Sequence, residues 1–205
     1  MTTPEELRPH ERWWQDHAAV HDGTFRGWLE DSDPWSRAEV VKIVETLGAR
    51  TVLECGPGLF HDWETYWKAH PWVKYTALEM TPKLVDYGRA LGARVAQGNI
   101  TAIPDFNTRF DVAYCRHVLE HLDPANIEDA LCEMVRVARK AAVVVLFRTT
   151  DGANHEPMQD TTAAPGTWCN AISWNQIDEW GKQNGIRTAW TTGGRDRVLT
   201  MTWAP

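Results

Sequence analysis

No two of the four cysteines, at positions 55, 115, 132 and 169, are spaced C-x-x-C, and three of them lie in apolar segments. That pattern argues against a short-spaced zinc frame and a disulfide scaffold, and predicts reduced packing thiols and no bound metal. Nor is there a run of like charge: 21 Lys and Arg are mixed through 28 Asp and Glu, for a formal net charge of −7. Nucleic acid is therefore disfavoured as a partner. No apolar stretch approaches the ~20 residues that cross a bilayer, and the opening MTTPEELRPHERWW has neither a basic n-region nor an apolar h-region. The expectation is a soluble, cytoplasmic protein with no membrane partner. Internal repeats and low-complexity linkers are also absent, so 205 residues predict one well-buried domain and not two.

What is present is an alternation of apolar runs and helical periods. Asp33-Pro34 caps a helix through Leu47, with Val40, Val41, Val44 and Leu47 at helical spacing and Gly48 as the stop. Strands are predicted at Thr51 to Glu54, Tyr75 to Glu79, Arg94 to Gln97, Phe110 to Cys115 and Ala142 to Phe147. Between them stand a Trp-rich helix from about His61 to Ala69, a helix from Thr81-Pro82 through Leu91, and a helix that Asp123-Pro124 starts and that runs to about Val137. Arg148 to Ile172 reads as a polar loop too long for a plain connection. Ser173 and Gln176 make a capping box for a helix ending at Gly185, and two β-branched runs around Gly193-Gly194 read as a terminal hairpin. The predicted fold is α/β, a doubly wound, mostly parallel sheet with helices on both faces and one antiparallel strand from a C-terminal hairpin.

The stretch VLECGPGLF, Val52 to Phe60, runs a buried strand into an acid and two glycines before a helix whose exposed N–H groups begin at about His61. Gly56 and Gly58 sit where side chains would obstruct a ligand, and Glu54 where a donor on that ligand would be met. Phe60 stands where a third glycine would continue the Gly-x-Gly run. The dinucleotide fingerprint G-x-G-x-x-G would need glycine at His61, so a dinucleotide is disfavoured.

With VLECGPG, the motifs ALE (Ala77 to Glu79), QGNI (Gln97 to Ile100) and FDVAYCRHVLEHL (Phe110 to Leu122) follow in order. From Trp35 to Trp203 the sequence resembles the class I S-adenosylmethionine-dependent methyltransferases, in particular the group labelled methyltransferase domain 11. The resemblance implies a Rossmann-like, seven-stranded sheet with S-adenosyl-L-methionine across the carboxyl ends of its first strands and S-adenosyl-L-homocysteine as product. It implies cofactor roles for Glu54, Gly56 and Gly58 under the methionine half, and for Glu79 on the ribose with Met80 beside it. Asn99 and Ile100 would then meet the adenine, and Cys115 and Arg116 the methionine moiety. A core isoleucine explains Ile100 equally well, and Arg116 reads also as a surface charge.

His117 directly follows the fourth strand, where the transferred methyl would sit, and an imidazole there could take a proton from an acceptor hydroxyl or amine. His155 and Glu156, in the long loop, are its competitors. His117 and His121 are four apart like a metal pair on a helix, but no third ligand keeps a fixed spacing to them.

The function these residues point to is O- or N-methylation of a small-molecule or glycan acceptor. Two alternatives stay open: a nucleic-acid methyltransferase, which would call for a basic surface and an Asn or Asp followed by two prolines and an aromatic after the fourth strand, and a non-catalytic cofactor-binding protein. Tryptophan is the unusual component, with 12 in the chain, including Trp13, Trp14, Trp28 and Trp35 before the core and Trp168, Trp174 and Trp180 after the fifth strand. Residues 1–34 are read as a helical lid segment, 35–205 as the cofactor-binding domain, and 148–172 as an acceptor loop within it; lid and loop together would wall an aromatic acceptor pocket. Monomer and homodimer both remain open.

Overall fold

The computed structural model describes Trp14 and residues 34–106, 109–159 and 167–203. The expected lid segment therefore lies outside the described residues apart from Trp14 and Pro34, as do Trp13, Trp28 and positions 160–166 of the long loop.

The chain order is α1 (Pro34–Thr46), β1 (Thr51–Cys55), α2 (His61–Thr65), β2 (Lys74–Glu79), α3 (Pro82–Ala90), β3 (Val95–Gln97), β4 (Phe110–Arg116), α4 (Ile127–Val137), β5 (Ala138–Leu146), β6 (Thr149–Thr150), β7 (Ile172–Ser173), α5 (Trp174–Gln183), β8 (Ile186–Gly193) and β9 (Asp196–Trp203). Seven strands form one sheet in the order β3-β2-β1-β4-β5-β9-β8. The first five run parallel, and β9 returns antiparallel to β5 and pairs with β8. The fold is the doubly wound α/β architecture expected from the alternation of elements.

Each sheet face has its own core. Val40 and Val44 of α1, Val85 of α3 and Trp67 pack with Val52, Ala77, Val112, Tyr114 and Val143 on one face. Ile127, Leu131 and Met134 of α4 and Ile177 and Trp180 of α5 pack with Leu53, Leu78, Ala113, Val144 and Leu199 on the other. Strands covered on both faces read as continuous apolar runs, which is why they were legible without strict alternation.

Boundaries differ where side chains reach past the apolar run. β5 begins at Ala138, before the apolar stretch, because Arg139 extends to the Asp111 carboxylate (3.1 Å) and the Lys140 ammonium donates to the Leu47 carbonyl (2.7 Å). Asp123-Pro124 starts a single 3-10 turn, Pro124–Asn126, which Asp123 caps by accepting from the Ala125 N–H; α4 follows it. In the hairpin Gly193 pairs with Asp196, so the two-residue turn is Gly194-Arg195, with φ 57 at Gly194. One left-handed residue at the first turn position suits the right-handed twist of the flanking strands. Gly193 serves packing instead: a Cβ there would stand 2.3 Å from the Trp35 ring.

The long loop is an arm with its own hydrogen bonds. β6 and β7 pair in parallel, and beyond them Glu156 bridges Ala171 and Gln159 bridges Trp168 in antiparallel fashion. Asn170, fully buried, fastens the arm to the body: its N–H donates to the Glu120 carbonyl and its side-chain amide to the Leu122 carbonyl, both at 2.8 Å.

Candidate active site

Parallel register sets the site. Cys55 is level with Leu78 on one side and Cys115 on the other, and Glu79 is level with Gln97. The segments leaving β3, β2, β1, β4 and β5 therefore lie side by side along the carboxyl edge, as Asn99-Ile100, Glu79-Met80, Gly56 to Gly58, Arg116-His117 and Phe147. The strand order reverses between β1 and β4, the position where open α/β sheets bind ligands.

At the centre Gly56 and Gly58 adopt left-handed φ values of 70 and 57. Glu79 is buried and accepts from the Thr81 N–H at 2.9 Å. Burial raises its carboxyl above the ordinary range against hydrogen bonds from Thr81 and the Gly58 and Met80 N–H groups. Asn99 forms an Asx turn, its side-chain oxygen accepting from the Thr101 N–H (3.0 Å) and hydroxyl (3.1 Å). Ile100 lies in the core and Cys115 is fully buried. These groups suit a ligand with hydroxyls and a base: an anionic acceptor follows β2, an amide follows β3, and a glycine turn follows β1.

Phe60 at the third-glycine position is also left-handed, φ 59, and its fully buried ring lies over Gly88 of α3. A Cβ on Gly88 would come within 2.1 Å of that ring. Gly88→Ala should therefore destabilise the protein by about 1–3 kcal/mol, although alanine favours a helix over glycine by about 1 kcal/mol. Denaturant unfolding of the variant, where a gain in stability would contradict the packing argument, checks this.

Glu54 faces the α1 side of the sheet. It is fully buried, accepts from the Tyr75 hydroxyl, and burial raises its carboxyl above the ordinary range. Beside it Asp62 accepts from both Arg37 and Arg116, the latter at 3.1 Å. Burial, with Arg116 close by, lowers the Arg37 guanidinium to about 10. The Arg116 side chain is thus buried in this ionic cluster, and is not the surface charge that was one of its two readings.

The family model described as "Methyltransferase domain" matches residues 53–146, the span from β1 through β5. Over that span, less than half of the chain, the sequence is similar to that family. Solved structures share the fold at low identity. A 1,6-didemethyltoxoflavin-N1-methyltransferase from Burkholderia thailandensis is 14% identical, with a TM-score of 0.69, over 100% of this chain and 92% of that one. An amino pentose methyltransferase from Micromonospora echinaspora is 16% identical, with a TM-score of 0.67, over 89% and 96%. Magnesium protoporphyrin IX methyltransferase from Synechocystis is 12% identical, with a TM-score of 0.64, over 97% and 99%. No curated protein sequence matches the chain.

Of the three residues considered for proton transfer, only His117 stands at the end of β4. Its backbone is left-handed, φ 55, an uncommon conformation for a side chain with a Cβ, and its N–H donates to the Val145 carbonyl at 2.9 Å. His155 is inserted into the cap of α5. Its Nδ1 accepts from the Ser173 N–H (2.9 Å), and its own N–H donates to the Gln176 side chain (2.7 Å). The capping box is therefore half formed: Ser173 accepts from the Gln176 N–H, while Gln176 turns to His155 and not back to Ser173. Burial lowers the pKa of His155 and favours the neutral ring, whose accepting nitrogen is already engaged. Glu156, exposed on the arm, accepts from the Thr150 hydroxyl at 2.7 Å.

His121 ends a 3-10 turn, Leu119–His121, so the helical i,i+4 geometry of a metal pair with His117 does not arise. Among the described residues no cluster of three or more metal-type ligands is assembled. His121 pairs its Nδ1 with the Trp168 carbonyl at 2.9 Å, and Trp14 meets its ring edge-on with centroids 5.3 Å apart. Phe147, 38% exposed, lies 5.1 Å from the His117 ring and 5.8 Å from the His121 ring. Sequence reasoning missed Phe147 because it ends an ordinary apolar run. It missed Asp196, Ser36 and Glu120 because a turn acid, a helix serine and a family-like VLEHL segment carry no local signal of what they touch. Among the described residues no helix is long and apolar enough to cross a membrane.

Proposed function

We propose that the chain transfers the methyl group of S-adenosylmethionine to a hydroxyl or amine of a small-molecule or glycan acceptor. The observation that carries this reading is the exposed Phe147 ring, flanked by His117 and His121 at the end of β4 and reached through His121 by Trp14. An aromatic wall with imidazoles at its edge suits a planar or sugar ring presenting a protonated heteroatom. The formal charge of −7 disfavours a polyanionic acceptor. Two neighbours in fold are named for 1,6-didemethyltoxoflavin and for an amino pentose, acceptors of this scale.

On this reading Gly56 and Gly58 pass the backbone under the methionine half, Glu79 meets the ribose with Met80 beside it, and Asn99 and Ile100 lie toward the adenine. The Cys115 and Arg116 backbone faces the ammonium group. The bound sulfonium supplies an activated methyl, so the protein's tasks are placement, exclusion of water and acceptance of a proton. His117 takes that proton, with His155 and Glu156 as the less favoured bases. Residues 1–34, of which Trp14 meets His121, act with the 148–172 arm as the acceptor wall of the 35–205 domain.

Incubation with methyl-labelled cofactor and fractionated metabolite, glycan and RNA pools tests the acceptor class. Label is expected in a metabolite or glycan fraction; label confined to RNA would overturn the proposal, and cofactor binding without label in any pool would favour the non-catalytic alternative. In calorimetry Glu79→Ala should weaken cofactor binding by roughly 1–3 kcal/mol, the worth of charge-assisted hydrogen bonds to hydroxyls.

A further inference from the structure

His117 is held by a carboxylate that sequence spacing does not connect to it. Its Nε2 lies 3.0 Å from Oδ2 of Asp196, which is 79 positions away in the chain. The same oxygen accepts from the Ser36 hydroxyl of α1 at 2.6 Å, across 160 positions. Asp196 opens β9, which returns antiparallel beside β5, so its side chain arrives at the carboxyl edge where β4 ends. It is 3% exposed, whereas the His117 ring is 22% exposed. Because a carboxylate only accepts, the shared proton resides on Nε2, and the lone pair of neutral His117 is on Nδ1. No hydrogen bond among the described residues engages that Nδ1.

We propose that Asp196, steadied by Ser36, is the positioning residue that fixes His117 in the Nε2–H tautomer and presents Nδ1 as the proton acceptor for methyl transfer. The proposal rests on the reading of His117 as the base. The acceptor heteroatom gives its lone pair to the methyl carbon, the sulfur keeps the electron pair of the broken S–C bond, and the acceptor's proton passes to Nδ1. Asp196 remains ionised and stabilises the imidazolium so formed. The arrangement serves an acceptor that still carries its proton near neutral pH, an alcohol that loses it as the new bond forms or an ammonium group that must give it up first to free its lone pair, and adds nothing for one already present as an anion.

Other groups around the pair agree with this assignment. Arg116 from β4 places its guanidinium between Ser36 (3.5 Å) and Asp62 (3.1 Å), and Glu120 follows in the next turn. Burial pushes the Asp196 carboxyl up, but hydrogen bonds from His117 and Ser36 and the His117 and Arg116 charges outweigh it, so Asp196 stays below the ordinary carboxylate range.

Three measurements on the full chain test the proposal. Long-range proton–nitrogen spectra of protein labelled in its histidine rings should show His117 protonated at Nε2 at pH 8; protonation at Nδ1 would overturn it without any variant. Asp196→Asn, which keeps size and shape, should slow methyl transfer about 10- to 100-fold at neutral pH while leaving cofactor affinity within about twofold. Losing the carboxylate should also release the ring from the Nε2–H tautomer, which the same spectra read in the variant. A merely structural Asp196 would leave the tautomer unchanged. His117→Ala separates the two levels of the argument: full turnover from pH 6 to 9 removes His117 as the base, whereas an inactive His117→Ala beside an Asp196→Asn of unchanged tautomer removes only the positioning role.

Discussion

Gly56→Val is expected to lower stability by several kcal/mol and, on the proposed role of this turn, to abolish S-adenosylmethionine binding. Two costs combine. The position has φ 70, a conformation that a β-branched side chain resists. A Cβ there would also stand 2.7 Å from Cγ2 of Val118, just past the end of β4. The glycine is thus needed to let the β1 and β4 exits approach each other. Gly56→Ala in a Val118→Ala background separates the costs: the contact is relieved, the left-handed backbone is not, and a residual loss of about 1–2 kcal/mol should persist. Calorimetric titration with the cofactor and urea unfolding measure the two effects. Native-like binding by Gly56→Val would remove this turn from the cofactor site.

Glu120→Gln is expected to stabilise the protein at pH 9 and to change it little at pH 5. Glu120 is fully buried; its Oε1 accepts from the Phe147 N–H at 2.7 Å, and its Oε2 has no partner among the described residues. Burial, with the Asp196 charge adding to it, pushes the carboxyl up to about 8 despite the backbone hydrogen bonds it accepts. In the unfolded chain a glutamate ionises near ~4.3. Between those values the unfolded state releases a proton that the folded state keeps, so rising pH favours unfolding. The stability associated with the neutral carboxyl is complete below the unfolded pKa and is lost as pH passes through about 8. The gap corresponds to roughly 3–5 kcal/mol. Glutamine retains the acceptor for Phe147 and cannot ionise. Glu54 and Glu79 are raised in the same direction and remain in the variant, so the informative quantity is the difference between variant and parent at each pH. An equal difference at pH 5 and pH 9 in urea unfolding would sink the account.

Much of the scaffold was legible because its signals are local. The helix over Pro34–Thr46 carries its own cap, period and stop, and the turn after β1 declares itself through glycines that tolerate left-handed φ. The boundaries that slipped, at the start of β5 and in the hairpin turn, are places where a distant partner decides. Arg139 and Lys140 read as loop residues until Asp111 and Leu47 are seen to hold them, and Gly193 reads as a turn residue until Trp35 packs on it. His155 stood in the sequence as a competitor of His117, in the long loop and not at the end of a strand. Contacts with Ser173 and Gln176 place one in a helix cap, and a contact with Asp196 places the other beside a carboxylate.

From the sequence alone came the α/β class, the order of its elements, and the four motifs that lie at the ends of the first four strands, all of them written in residues a few positions apart. The tertiary structure alone decided which groups share the site: Asp196 under His117 across 79 positions, Ser36 on Asp196 across 160, Trp14 against His121, and Glu120 sealed behind Phe147. The reason is physical. Periodicity and backbone preference act between near neighbours and leave a mark in composition, whereas a carboxylate's partner depends on which loops a parallel sheet gathers at its carboxyl edge, and that gathering is a property of the folded chain.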